Sequence, residues 1–168
     1  MPPPEPSATG SPDPRDLTGP FRHELEIEVR FADTDGMRHV NNAKYLTYCE
    51  IARIRYWTDV TGEMFGLHTE GVESLILAEA RITYRAQAFY GDSVTVQTRA
   101  TRIGRSSFTL EHRLTAHGQG GPRRLVAVSE SVLVRFDYEI DRPVPLSDEH
   151  VVAIEAYEGR SLRILTGA

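Results

Sequence analysis

With 168 residues, 40% hydrophobic and 26% charged, the chain can fill the core of one globular domain without disulfides or a structural metal. Its net charge of -5 argues against a general DNA or RNA binder, which needs a basic footprint. Cys49 is the only cysteine, which excludes an intrachain disulfide framework, and no run of about 18 apolar residues is present to span a membrane.

Residues 1–20 hold seven of the ten prolines among Ser, Gly, Thr and Asp, a composition that buries too little to offset its ordering entropy. A disordered tail is expected there, and one folded domain over 21–168. The tail has neither the basic start nor the apolar centre of a secretory signal, so a cytoplasmic protein is expected. From 24 to 31 the chain alternates, with Leu25, Ile27, Val29 and Phe31 on one side and Glu24, Glu26, Glu28 and Arg30 on the other, as in a half-buried strand. Asp33 to His39 breaks the alternation. Helical periodicity follows from about Ala43 to Asp59, capped by Asn41 or Asn42. Tyr45, Cys49, Ala52 and Tyr56 form its apolar stripe, broadened by Tyr48 and Ile51; Lys44, Thr47, Glu50, Arg53 and Arg55 take much of the remainder.

Residues 62–71 show no period and predict a linking loop with a short helical turn near Met64 to Leu67. Strands are then predicted at Ser74–Ala78, Glu79–Phe89, Ser93–Arg102, Ser107–His117 and Leu125–Phe136, with turns at Gly91-Asp92, Gly104 and Gly118–Pro122. Ser147 or Asp148 is placed to cap a last helix reaching about Tyr157. One early helix followed by antiparallel strands gives an α+β domain in which a curved sheet wraps the helix. Such a sheet leaves edges that a second subunit can cover.

Asp33, Asp35 and His39 lie between the first strand and the helix. Carboxylates in such turns often only accept backbone N–H bonds, the role expected of Asp33. Asp35 stands close to the free amides and positive dipole end of the helix, where an arriving carbonyl would be polarised. A carboxylate there can attack that carbonyl or deprotonate water. His39 is either a loop histidine or a substrate contact. The motifs GxGxxG, P-loop, HExxH and GxSxG are absent, Asp33-Thr34-Asp35-Gly36 lacks the remaining features of a calcium loop, and the histidines offer no HxH or HxxxH pair. No cofactor and no metal are therefore expected. Arg99, Arg102, Arg105, Arg113, Arg123 and Arg124 lie on solvated sheet faces, or a few of them meet the phosphates of a nucleotide-like carrier.

The run VRFADTDGMRHVNNAKYLTYCEIAR resembles the signature of the 4-hydroxybenzoyl-CoA thioesterase-like, or acyl-CoA thioesterase, branch of the hotdog-fold superfamily, and EARITYRAQAFYGDSVTV resembles its second strand block. The likeness covers about residues 22–158. It implies a five- or six-stranded antiparallel sheet around a long central helix, homodimers or homotetramers with sites between subunits, and hydrolysis of an acyl-CoA thioester. It implies Asp35 as the catalytic carboxylate, the backbone N–H of Asn42 as the group holding the thioester carbonyl, and His39 as an assisting residue. Where the 4-hydroxybenzoyl type commonly has Gly, three residues after the catalytic Asp, this chain has Arg38; where the plant acyl-carrier type has Asn, it has Met37. An acyl carrier protein (ACP) in place of CoA, and a non-catalytic acyl-thioester-binding hotdog protein, are the alternatives.

Overall fold

Glutamates alternating with Leu and Ile make the first strand, β1, over His23–Glu28, with the glutamates exposed. The computed structural model describes Leu17 and residues 19–63, 73–118 and 121–163. Most of the expected tail and the expected turn at Met64 to Leu67 lie outside those residues. After β1 the chain is extended only as far as Arg30, because Phe31–Asp33 winds into a 3-10 turn closed by the Asp33 side chain on the Arg30 amide. That turn corrects the strand predicted to 31. Val29 stays buried, but Phe31 swings out to 76% exposure and packs edge-on against Tyr90.

The long helix α1 spans Asn42–Thr61, with Asn41 as its N-cap and Gly62, at φ 76°, as its left-handed C-cap. Asn41 Oδ1 accepts from the Ala43 amide at 2.9 Å. Asn41→Ala leaves that amide unpaired and is expected to lower stability by about 1 kcal/mol, read as a lower Tm in thermal melts. Tyr45, Tyr48, Cys49, Ala52 and Tyr56 are buried as their spacing predicts. Two positions reverse expectation: Ile51 is 43% exposed, and Arg53 is buried. The buried arc of α1 is rotated toward the Arg53 and Trp57 flank, away from Ile51.

The remaining strands are β2 (Glu73–Tyr84), β3 (Ser93–Ile103), β4 (Ser107–His117), β5 (Arg124–Asp137) and the two-residue β6 (Arg142–Pro143). They form one antiparallel sheet in the order β1-β3-β4-β5-β2, with β6 on β5. The two segments predicted for β2 are a single strand with a register shift between Leu77 and Glu79, so Ala78 is the extra residue of a bulge. This strand ends at Tyr84 rather than Phe89, because the following loop is pinned by Asp92, which accepts from the Phe89 amide at 2.9 Å and pairs with Arg124. The last helix, α2 (Asp148–Glu158), is capped by Ser147 and packs Val151 and Ile154 against the far end of α1. A curved sheet carrying a long helix on its inner face is the hotdog arrangement.

The core has two parts. Tyr45, Tyr48, Cys49 and Ala52 meet Val94, Val96, Leu114 and Ala127 near the start of α1. Tyr56 and Trp57 meet Ile103, Phe108, Leu110, Leu133 and Ile154 near its end, with Trp57 stacked on Phe108 at 5.6 Å. Each large apolar side chain fully buried in this way contributes about 1.5–3 kcal/mol. Between them runs a polar rung of the sheet: His23 pairs with Thr98, Thr98 with His112 and His112 with Ser129, and all four are buried.

Candidate active site

The turn before α1 is a small antiparallel loop. Asp35 N donates to His39 O at 3.0 Å, Thr34 bridges Val40, and Asn41 N donates to Asp33 O at 2.9 Å. His39 also bridges Phe89, and Val40 N donates to Ala88 O, so the loop before β3 holds this turn from behind. Arg38 closes the turn at φ 70°. An L side chain in that left-handed conformation is strained by roughly 1–2 kcal/mol.

Asp33 serves structure. Its buried carboxylate accepts from the backbone and guanidinium of Arg30, at 2.8 to 3.1 Å, and from Tyr48 Oη at 3.1 Å. The Arg30 guanidinium holds this carboxyl below the ordinary carboxylate range, while burial and the neighbouring Asp33 charge push the Tyr48 phenol up. The turn is thereby fastened to the second turn of the helix. Nothing local in the sequence announces this link, which joins residues 15 apart.

Asp35 is partly exposed. Its Oδ1 accepts from the Met37 amide at 2.9 Å, and its Oδ2 faces His39 Nδ1 at 3.8 Å. One oxygen therefore fixes the rotamer and the other remains available to a reactant. At the helix start Asn41 takes both the Ala43 and Lys44 amides, and no acceptor faces the Asn42 amide among the described residues. Tyr84 Oη donates to Asn42 O at 2.9 Å and stands edge-on to Tyr45, which places the end of β2 beside the same helix turn. Sequence reasoning missed Tyr84, because only the pairing of β2 with β5 places its end there. Asp35 and His39 thus face one another in the turn that leads into the Asn42 amide at the start of α1. Carboxylate, imidazole and a free helix-start amide can together polarise a carbonyl and deliver an oxygen nucleophile to it.

The arginines divide. Arg99 pairs with Glu111 at 2.7 Å, Arg113 binds Gln97, and both guanidinium groups lie over the Phe21 ring. Arg124 pairs with Asp92. These three serve the sheet and its loops.

The model of the thioesterase-like superfamily matches residues 29–154. The chain belongs to that superfamily. It is 26% identical over 127 residues to long-chain acyl-CoA thioesterase FadM of Escherichia coli, covering 75% of this chain and 92% of the relative. It is also 34% identical over 73 residues to the putative acyl-CoA thioesterase YneP of Bacillus subtilis, spanning about half (52%) of that relative's length. Among solved structures, a thioesterase from Thermus thermophilus complexed with coenzyme A and zinc is 35% identical, with a TM-score of 0.69 over 84% of this chain and 98% of that one. A putative thioesterase from Pseudomonas aeruginosa is 31% identical, with a TM-score of 0.68 over 80% and 99%.

Proposed function

We propose that this member of the thioester-hydrolase superfamily cleaves an acyl-CoA, with Asp35 as its catalytic carboxylate. The observation that carries this reading is the Asp35 carboxylate, anchored through one oxygen and open at the other, in the turn that feeds the unpaired Asn42 amide at the start of α1. The thioester carbonyl is received by that amide, where the helix dipole favours the charge that develops on oxygen. Asp35 either takes a proton from water as that water attacks the carbonyl carbon, giving the free acid, or attacks the carbon itself to form an anhydride that water then cleaves; in both routes the carbon–sulfur bond breaks and CoA leaves as thiolate. His39 steadies the Asp35 charge from 3.8 Å.

The working unit in this reading is a homodimer, or a tetramer built from dimers. Strand β2 stands at the sheet edge, and the exposed Leu77 and Tyr84 on it, with Leu46 of α1, offer an apolar face to a second copy. Among the described residues no helix is long and apolar enough to cross a membrane; a cytoplasmic location is part of the proposal.

Thiol release from a panel of short, medium, long and aromatic acyl-CoAs tests the reading. Turnover of at least one class is the expected result. If no acyl-CoA is hydrolysed while an acyl-ACP is, the carrier assignment falls; if neither is, the chain binds thioesters without catalysis.

A further inference from the structure

The loop between β2 and β3 enters the candidate site through its backbone. Ala88 O accepts from the Val40 amide at 2.7 Å and Phe89 bridges His39, so residues 88–89 form a short antiparallel ladder with 39–40. His39 O in turn accepts from the Asp35 amide at 3.0 Å. A shift of Ala88 and Phe89 is therefore passed on to the backbone that carries Asp35. The near side of that turn is fastened to α1 by Asp33 and Tyr48; the far side, at His39 and Val40, rests on the loop.

Residues 85–92 separate Tyr84 from Ser93, a longer connection than most, so its course has to be fixed by specific contacts. The loop closes on itself where Asp92 N donates to Phe89 O at 3.0 Å and Phe89 N donates to Asp92 Oδ2 at 2.9 Å. From α1, Tyr45 Oη accepts from the Ala88 amide at 3.2 Å. From the sheet, one side chain meets the loop at three points. Arg124, at the start of β5, donates from Nε to Gln87 O at 3.0 Å and from Nη2 to Asp92 Oδ2, and its guanidinium lies 5.6 Å over the Phe89 ring. Gln87, Phe89 and Asp92 bracket Ala88, so Arg124 grips the loop on both sides of the residue that bonds Val40. A rigid planar fork of donors suits that task, where the point charge of a lysine does not.

Taking the thioesterase reading of Asp35 as given, we propose that Arg124 is a positioning residue for that reaction: by clamping Gln87, Phe89 and Asp92 it presses the 88–89 ladder onto 39–40 and so sets the place of the Asp35 carboxylate relative to the Asn42 amide. Arg124 acts only through the loop. The amide belongs to α1, which has its own cap at Asn41, whereas the carboxylate hangs on the turn. Releasing the clamp lets one move against the other, and a misplacement of about 1 Å can lower a rate by about 10²-fold even when its cause is remote.

Arg124→Met keeps the bulk of the side chain and removes its donors; Arg124→Lys keeps the charge beside Asp92 and loses the fork. Both are compared with wild type by kcat and KM on the best acyl-CoA, and by amide hydrogen exchange at Val40, with Ala52 in the middle of α1 as control. Arg124→Met is expected to lower kcat by about tenfold or more with KM little changed, and to speed exchange at Val40 while Ala52 is unaffected. Arg124→Lys should restore part of both. Combined with Asp35→Asn, Arg124→Met should cost far less than it does alone, because the turn then no longer carries the reacting oxygen. Exchange sped equally at Val40 and Ala52 would mean a general loss of stability and overturn the inference. An unchanged kcat, a rise in KM alone, or full additivity with Asp35→Asn would also overturn it while leaving the thioesterase reading intact. Thiol release from no acyl thioester by wild type would bring down both.

Discussion

Asp35→Asn is expected to lower kcat on the preferred acyl-CoA by about 10²–10⁴-fold, the range that a positioned acid–base group supplies. The substitution is chosen for what it keeps. The Asn side-chain oxygen can still accept from the Met37 amide, so the turn that Asp35 closes at 2.9 Å survives. What disappears is the charge and the basicity of the second oxygen, which faces His39. KM should change little if, as proposed, the Asn42 amide holds the thioester carbonyl, so kcat and kcat/KM should fall together. Asp35→Ala removes the anchor as well and should be at least as damaging. His39→Ala should be milder, since the imidazole lies beyond hydrogen-bond distance of the carboxylate in this structure. Turnover unchanged in Asp35→Asn would remove Asp35 from the chemistry.

The second large effect concerns acid stability and comes from His112. Burial, first, and the nearby Arg53 charge, second, bring its pKa down from 6.5 to about 3. Above pH 6.5 the imidazole is neutral in folded and unfolded chains alike, and its contribution to stability is fully present. Between 6.5 and 3 the unfolded chain takes up a proton that the folded one refuses, so stability falls as pH drops and the loss levels off below pH 3. The full loss is about 5 kcal/mol, of the order of a small domain's whole stability. His23, its pKa lowered chiefly by burial, loses stability in the same direction. Urea unfolding at pH 7.5, 5.5 and 4.5 should show this fall, and the double substitution Thr98→Val with His112→Phe, which removes the buried hydrogen bond as a pair, should flatten it. An equally steep fall in the double variant would place the acid sensitivity elsewhere.

Much of this architecture was legible because it is periodic. Alternation located the long strands, spacings of three and four located α1, and Asn41 and Ser147 marked the helix starts by their capping chemistry. Asp35, His39 and Asn42 stand out as candidates in the sequence because they lie within eight positions of one another, around a single turn. Departures arose where tertiary contacts override local pattern. Phe31 left its strand because Asp33 turns the chain back onto Arg30. Arg53 exchanged places with Ile51 because the rung beneath α1 is polar. That rung is invisible along the chain: His23, Thr98, His112 and Ser129 become neighbours only through three separate strand registers. The bulge at Ala78 is hidden in the same way, since only the register between β2 and β5 reveals it.

The division of the core has a mechanical consequence. Two apolar droplets sit side by side on the sheet, with α1 lying across both like a splint. A seam of hydrogen-bonding groups joins them more weakly than continuous apolar packing would, so it is where cooperative opening can stop. The droplet holding Trp57, Phe108 and α2 has its own ties, through Glu158 to Tyr56 and Ala100, while the turn carrying Asp35 is clasped separately by Asp33, Tyr48 and the loop at Ala88. A reacting carbonyl at the Asp35 turn would therefore be held by contacts that do not depend on the α2 half of the core.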